Sequence, residues 1–243
     1  MNVYAIYFSP TKSTEKIVKI LADEFGKYND VDLCKKEGSF DFDFVKGDLC
    51  IIGVPSYGGR VPAVALDRMK DFKAEHTKTI LVVSYGNRAY EDTVKELKDY
   101  VTAKGFSCIA AITAVAEHSI MHQFAAGRPD KEDEEQLVQF AKQISKKMEN
   151  DTISDDLIVP GDTSYREYHG VPLKPKAGKK CSDCGLCAQS CPVGAIPVEN
   201  PKITDKDVCI SCMRCVEFCP SGARKVNRLL LKIASKKNES SLC

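Results

Sequence analysis

Apolar runs and amphipathic stretches alternate through the first 149 residues of the chain. Short runs rich in Val, Ile, Leu and Ala fall at Val3–Phe8, Val31–Cys34, Leu49–Val54, Thr79–Ser84 and Ser107–Val115, each of strand length. The central ones are nearly continuous in apolar residues, as parallel strands buried on both faces should be. Between them, 13–27, 62–73, 90–104 and 131–149 show helical spacing. In the last, Leu137, Phe140, Ala141, Ile144 and Met148 fall at helical intervals, and Asp130 with Asp133 suits the N-terminal turn. The stretch 38–47 has the least regular pattern. The alternation predicts an α/β fold, a five-stranded doubly wound parallel sheet with helices on both faces.

The pattern changes after residue 149. Pro160-Gly161-Asp162, Gly170-Val171-Pro172 and Lys174-Pro175-Lys176 break helical periodicity. We read 150–178 as a linker that packs on a domain, because Tyr165, Tyr168, Val171 and Leu173 need cover. Residues 179–243 form a small second domain. Its tail, Lys225 to Lys237 with Leu229, Leu230, Leu231 and Ile233, has the spacing of a short amphipathic helix.

In this second domain eight of the 12 cysteines fall in two matched blocks. Cys181, Cys184, Cys187 and Cys191 precede Pro192; Cys209, Cys212, Cys215 and Cys219 precede Pro220. The blocks are an internal repeat, and Gly194-Ala195 answers Gly222-Ala223. Zinc knuckles use paired Cys-x2-4-Cys units and call for neither a third and fourth cysteine nor the proline. Disulfides would require an oxidising compartment, and the N-terminus MNVYAIYFSPTK has no secretory pattern. The run Cys-x2-Cys-x2-Cys-x3-Cys-Pro is a ligation pattern for 4Fe–4S clusters, and the segment resembles a bacterial two-cluster ferredoxin. That resemblance implies two 4Fe–4S clusters with crossed ligation. Cys181, Cys184, Cys187 and Cys219 would hold one, and Cys209, Cys212, Cys215 and Cys191 the other. The remaining cysteines read as structural: Cys50 and Cys108 in apolar runs, Cys34 at a strand end, Cys243 at the terminus.

In a doubly wound sheet, ligands sit outside the carboxyl ends of the strands. Ser9-Pro10-Thr11-Lys12-Ser13-Thr14 follows the first strand and opens a helix, an anion site with a lysine in it; a Ser/Thr-rich helix cap is the plainer alternative. Ser56-Tyr57-Gly58-Gly59 follows the third strand, and Tyr85-Gly86-Asn87 the fourth. Each glycine alone could be a turn residue. Together the loops resemble flavodoxin over residues 1–149. The resemblance implies FMN, its phosphate held by Ser9, Thr11, Ser13 and Thr14 with Lys12 adding charge. Ser56, Tyr57, Gly58, Gly59, Tyr85, Gly86 and Asn87 would surround the ring. The departure is Lys12-Ser13, where that family usually has Gly-Asn; glycine permits backbone angles that lysine tolerates poorly. His118 and His122 lie near the same edge and read as loop histidines rather than proton donors.

Composition adds bounds. Apolar content of 43% and charged content of 28% suit a soluble globular protein, and no run is long enough to span a membrane. The net charge of +1 gives no nucleic-acid footprint. Residues 179–243 hold 11 Lys/Arg against 6 Asp/Glu, whereas 1–178 hold 24 against 28. We therefore expect redox partner proteins with an acidic docking face, and a cytoplasmic home in a cell that shields clusters from oxygen. The whole resembles a flavodoxin–ferredoxin fusion that passes electrons between FMN and clusters. An FMN-dependent reductase fed by the clusters and a redox-sensing interaction module are the alternatives. The chain has no GxGxxG fingerprint and no evident acid–base pair, which favours the carrier.

Overall fold

The computed structural model describes residues 1–36, 38, 40–150 and 157–239. The first part runs β1 (Val3–Tyr7), α1 (Ser13–Asp23), β2 (Tyr28–Asp32), β3 (Asp43–Phe44), β4 (Leu49–Pro55), α2 (Ala63–Arg68), β5 (Lys73–Ala74), β6 (Thr77–Tyr85), α3 (Thr93–Thr102), β7 (Phe106–Val115) and α4 (Lys131–Glu149). The second runs β8 (Lys176–Ala177), α5 (Leu186–Gln189), α6 (Arg214–Glu217), β9 (Arg224–Lys225) and α7 (Arg228–Glu239).

The main sheet has the order β2-β1-β4-β6-β7, with every neighbouring pair parallel. Counting only its own strands, this is the 2-1-3-4-5 order of flavodoxin-like doubly wound folds. Alternate side chains serve opposite layers. Val3, Ala5, Leu49, Ile51, Ile80 and Val82 pack under α1 and α4. Ile6, Phe8, Cys50, Ile52, Leu81 and Val83 pack under α2 and α3. Between these layers β4 and β6 are buried on both faces along nearly their whole length. Helix α4 opens with a capping box in which Asp130 accepts from the Asp133 backbone and Asp133 answers.

Several boundaries differ from expectation, each for a physical reason. The second strand begins at Tyr28 rather than Val31, because β2 is a sheet edge whose Asn29 and Asp30 face water. Cys34 lies in the turn beyond that strand and is buried. Helix α2 stops at Arg68, and Lys73–Ala74 instead pairs in parallel with Asp43–Phe44, in the stretch that lacked a clear pattern. An aromatic cluster replaces the missing periodicity: Phe44 sits edge-on to Tyr4 at 5.0 Å and to Phe72 at 5.3 Å. Helix α3 begins at Thr93 because Glu91, at φ 44°, breaks the turn before it. Cys243 lies outside the described residues.

The repeat of the second part is visible in its backbone. Asp183 and Ser211 have φ of 57° and 56°, Gly185 and Met213 of 76° and 63°, Gly194 and Gly222 of 69° and 56°. The short helices α5 and α6 carry the third cysteine of each block. Among the described residues no helix is long and apolar enough to cross a membrane.

Candidate functional site

The carboxyl ends of β1, β4 and β6 and the segment after β7 line an open cleft. It lies where the strand order reverses, the place such sheets keep for ligands. Thr11, Ser13 and Thr14 line it from the first loop, Ser56, Tyr57 and Gly58 from the second, Tyr85 and Gly86 from the third. Ser9, Lys12, Gly59 and Asn87 are placed elsewhere. Ser9 is buried and its Oγ accepts the Glu15 amide at 2.9 Å, capping α1. Gly59 faces Glu91 and Arg166, and Asn87 is exposed at φ 62°.

Lys12 adopts the left-handed conformation at φ 68°, the geometry usually met by glycine. Its amide donates to Ser9 O at 3.4 Å. Its ammonium sits 5.2 Å from the centroid of the Phe218 ring. Thr14 Oγ1 is engaged with Ser84 Oγ at 2.7 Å. The amides of Thr11, Ser13 and Thr14 have no partner among the described residues. Free amides at a helix N-terminus, lining a cleft, fit a phosphate.

Gly86 and Gly58 let the side chains of His118 and Tyr168 close on the cleft. A β-carbon on Gly86 would fall 2.7 Å from His118 Cδ2. His118 Nδ1 accepts the amides of Ile120 and Met121, both at 3.2 Å, so the neutral ring carries its proton on Nε2. Burial lowers its pKa and keeps it neutral. Tyr168 and Val171 arrive from the linker, and Ile210 and Ser211 from between Cys209 and Cys212. None of these four figured among the expected binding residues. The visible signs were apolar side chains that need cover: Tyr168 and Val171 in the linker and Ile210 on a cysteine loop.

The second block and the last cysteine of the first converge. Cys191, Cys209, Cys212 and Cys215 line one cavity, with Pro192 and Ile196. Burial pushes the Cys212 and Cys215 thiols up to about 12. Cys187 is buried beside Cys191, while Cys184 is exposed and Cys181 half-buried. Cys219 Sγ accepts the Ala223 amide at 3.2 Å. Burial opposes ionisation of that thiol, yet the Arg224 amide and the Ser221 hydroxyl bring its pKa below the ordinary value. No group of three or more Cys, His, Asp or Glu among the described residues converges on a single ion; a cubane spreads its thiolates over separate iron corners. A cavity walled by four thiols fits such a group.

The two parts meet at named contacts. Arg214 Nη1 donates to Ser9 O at 3.3 Å, and Nη2 lies 3.7 Å from Asp32 Oδ2. Its guanidinium also covers the Phe218 ring at 4.6 Å, on which Lys12 sits as well. Tyr57 is raised well above its ordinary pKa by burial, with Cys212 and Cys34 beside it. The linker is pinned from α3: Asp92 accepts the amides of Asp162 and Arg166 at 2.9 and 2.8 Å, and Tyr165 Oη donates to Asp99 at 2.7 Å.

Residues 180–224 match the family described as 4Fe-4S dicluster domain. No curated protein matches the chain. Among solved structures it is similar to oxidised flavodoxin 2 from Bacillus cereus, at 16% identity and a TM-score of 0.48 over 60% of this chain and 99% of that one. Flavodoxin 1 from the same organism gives 17% identity and 0.45, over 60% and 98%. A flavoprotein in complex with FMN from Lactobacillus acidophilus gives 17% and 0.36, over 46% and 92%. By its own strand order and this match, the chain joins a flavodoxin-like sheet to a 4Fe–4S dicluster domain.

Proposed function

We infer that this chain is an electron-transfer protein that holds FMN in the sheet-edge cleft and two 4Fe–4S clusters on its cysteine blocks. One observation carries the reading: Ile210 and Ser211, bracketed by Cys209 and Cys212, line the same cleft as Thr11, Tyr57 and Tyr85. When bound, FMN would exchange one or two electrons and each cluster one. The amides of Thr11, Ser13 and Thr14 would hold the phosphate, and Tyr57 and Tyr85 would flank the ring. Cys191, Cys209, Cys212 and Cys215 would hold the cluster next to the cleft, and Cys181, Cys184, Cys187 and Cys219 the other. Tyr168 and Val171 would shield the ring from water. The basic surplus of residues 179–243 supports a redox partner with an acidic docking face, in the cytoplasm.

The test is anaerobic purification with iron, sulfide and flavin quantitation, followed by titration of FMN and riboflavin into apo-protein. About eight irons and eight sulfides per chain are expected, and FMN should bind far more tightly than riboflavin. Stoichiometric zinc without iron in never-oxidised protein would overturn the cluster assignment, and equal flavin affinities the phosphate site.

A second reading, an FMN-dependent reductase of a small molecule, is favoured by His118, whose ring lines the cleft with its proton on Nε2. Substrate-dependent flavin reoxidation in the absence of any partner protein would select it.

A further inference from the structure

The His118 ring is fixed by its surroundings on several sides. The His118 amide donates to Phe124 O at 3.1 Å, and the amides of Ala116 and Glu117 just before it donate to Tyr85 O and Arg128 O, both at 2.9 Å. Nδ1 accepts the amides of Ile120 and Met121, both at 3.2 Å. The ring presses onto Gly86, where an added β-carbon would fall 2.7 Å from Cδ2 and 2.9 Å from Cγ. Phe124 stands tilted beside it, with the ring centroids 6.4 Å apart.

Two amides on Nδ1 settle the protonation of this ring. A nitrogen that accepts hydrogen bonds carries no proton, so the proton of neutral His118 is on Nε2. Charging the ring would add a proton to Nδ1 and set it against both amides, and burial opposes the charge as well. The titratable groups that line the cleft with it or act on its charge are Glu117, His122, Tyr57, Tyr85 and Tyr168. Among the described residues no carboxylate bonds the ring. His118 is a neutral donor.

Nε2 has no hydrogen-bond partner among the described residues, yet it is not sealed from solvent, and the ring forms part of the cleft wall. Other polar groups of the cleft are already engaged: Thr14 Oγ1 with Ser84 Oγ at 2.7 Å, and Ser56 Oγ with Thr93 Oγ1 at 2.8 Å.

We propose that His118 is a fixed neutral donor, from Nε2, to an acceptor atom of the flavin ring in the cleft, and that it holds the reduced ring more tightly than the oxidised one. Each electron that the ring takes up adds a negative charge unless a proton follows it, and a hydrogen bond to a charged acceptor is roughly twice as strong as one to a neutral acceptor. A donor already oriented by two amides and a glycine needs no reorganisation when that charge arrives.

The inference rests on the reading of the cleft as an FMN site. Its first test needs no flavin: nitrogen-15 resonance of His118 in the full-length protein before FMN is added, between about pH 5 and pH 8. The ring should stay neutral with its proton on Nε2 throughout. A proton on Nδ1, or titration as an ordinary imidazole, overturns the proposal.

The second test compares FMN affinity and flavin midpoint, by fluorescence titration and anaerobic spectroelectrochemistry, for the parent and two variants. His118→Asn keeps an oxygen for the two amides and removes the far donor. His118→Gln keeps a donor at the reach of Nε2 and gives up the two amides. The Asn variant should bind oxidised FMN only a few-fold more weakly, and reduced FMN about tenfold more weakly than that, which moves the two-electron midpoint about 30 mV negative. The Gln variant should keep a midpoint near the parent's while melting at a lower temperature. Should the Asn variant fail to fold, His118→Phe, which keeps a ring over Gly86, takes its place. Oxidised and reduced affinities that fall equally, or not at all, overturn the proposal and leave His118 as a cap of its own turn. So does a Gln variant whose midpoint shifts as far as that of Asn. These outcomes, in a parent that binds FMN, leave the cofactor reading standing. A parent that binds no FMN overturns that reading, and this inference with it.

Discussion

The ring of Tyr168 lies so close over Gly58 that a β-carbon on the glycine would fall 2.3 Å from Tyr168 Cδ2. Gly58 also has φ 60°, where an L side chain is strained. Exchanging Gly58 for Ala should therefore displace Tyr168 and lower stability by about 1–3 kcal/mol, as overpacking does. Tyr168→Ala in the same chain should restore only the clash component. Thermal melts of the single and double variants measure it. Equal melting of parent and Gly58→Ala would show that the linker yields freely.

Cys191 shares its cavity with cysteines that begin 18 residues later in the chain, at Cys209. If that cavity holds a cluster, Cys191→Ser should damage the same signal as Cys212→Ser, and Cys219→Ser the same signal as Cys181→Ser. Resonance spectra of the reduced variants can tell the two clusters apart. A Cys191→Ser variant that instead matches Cys181→Ser would mean that each block ligates its own cluster.

At Lys12 a left-handed backbone and a cation over the Phe218 ring act in opposite directions. The conformation costs a residue with a β-carbon about 1–2 kcal/mol, and a cation–π contact at such a site returns about 0.5–1 kcal/mol. Lys12→Gly should accordingly leave stability within about 1 kcal/mol of the parent, while Lys12→Ala keeps the strain and loses the contact. Denaturant midpoints should rank Ala below both. A glycine variant less stable than the alanine variant would contradict the observed backbone geometry.

Asp92 holds the linker by accepting two backbone amides, and these bonds set its pKa below the ordinary 3.8. A carboxyl depressed in the folded state stabilises it fully above the ordinary value and loses that contribution as pH falls through the depressed one. Linker docking should thus be independent of this group at neutral pH and weaken only in acid, near and below pH 4. Asp92→Asn should reproduce part of the acid effect at pH 7. Hydrogen exchange of the Asp162 and Arg166 amides reads it directly, and unchanged protection in the Asn variant would show that other contacts suffice.

The centre of the sheet was legible because β4 and β6 are buried on both faces and therefore spell continuous apolar runs. The pairing of Asp43–Phe44 with Lys73–Ala74 was not, since two-residue strands leave no period to read. Cysteine spacing announced the dicluster domain, as ligation geometry tolerates little variation in a tight loop. Lys12 was already visible as a departure from a glycine, and the structure places that residue in the conformation glycine would have served. Tyr168, Val171, Ile210 and Ser211 were hidden because they reach the cleft through docking of distant segments, which no local pattern encodes.

Ile210 packs against the core layer formed by Ile6, Phe8 and Val54, although it belongs to the second cysteine block. That single contact limits modular reuse. A dicluster domain grafted in with a polar side chain at this position would leave the acceptor sheet with an uncovered apolar spot. Recombination at the linker should therefore succeed mainly with donors that carry an aliphatic residue directly after the first cysteine of the second block.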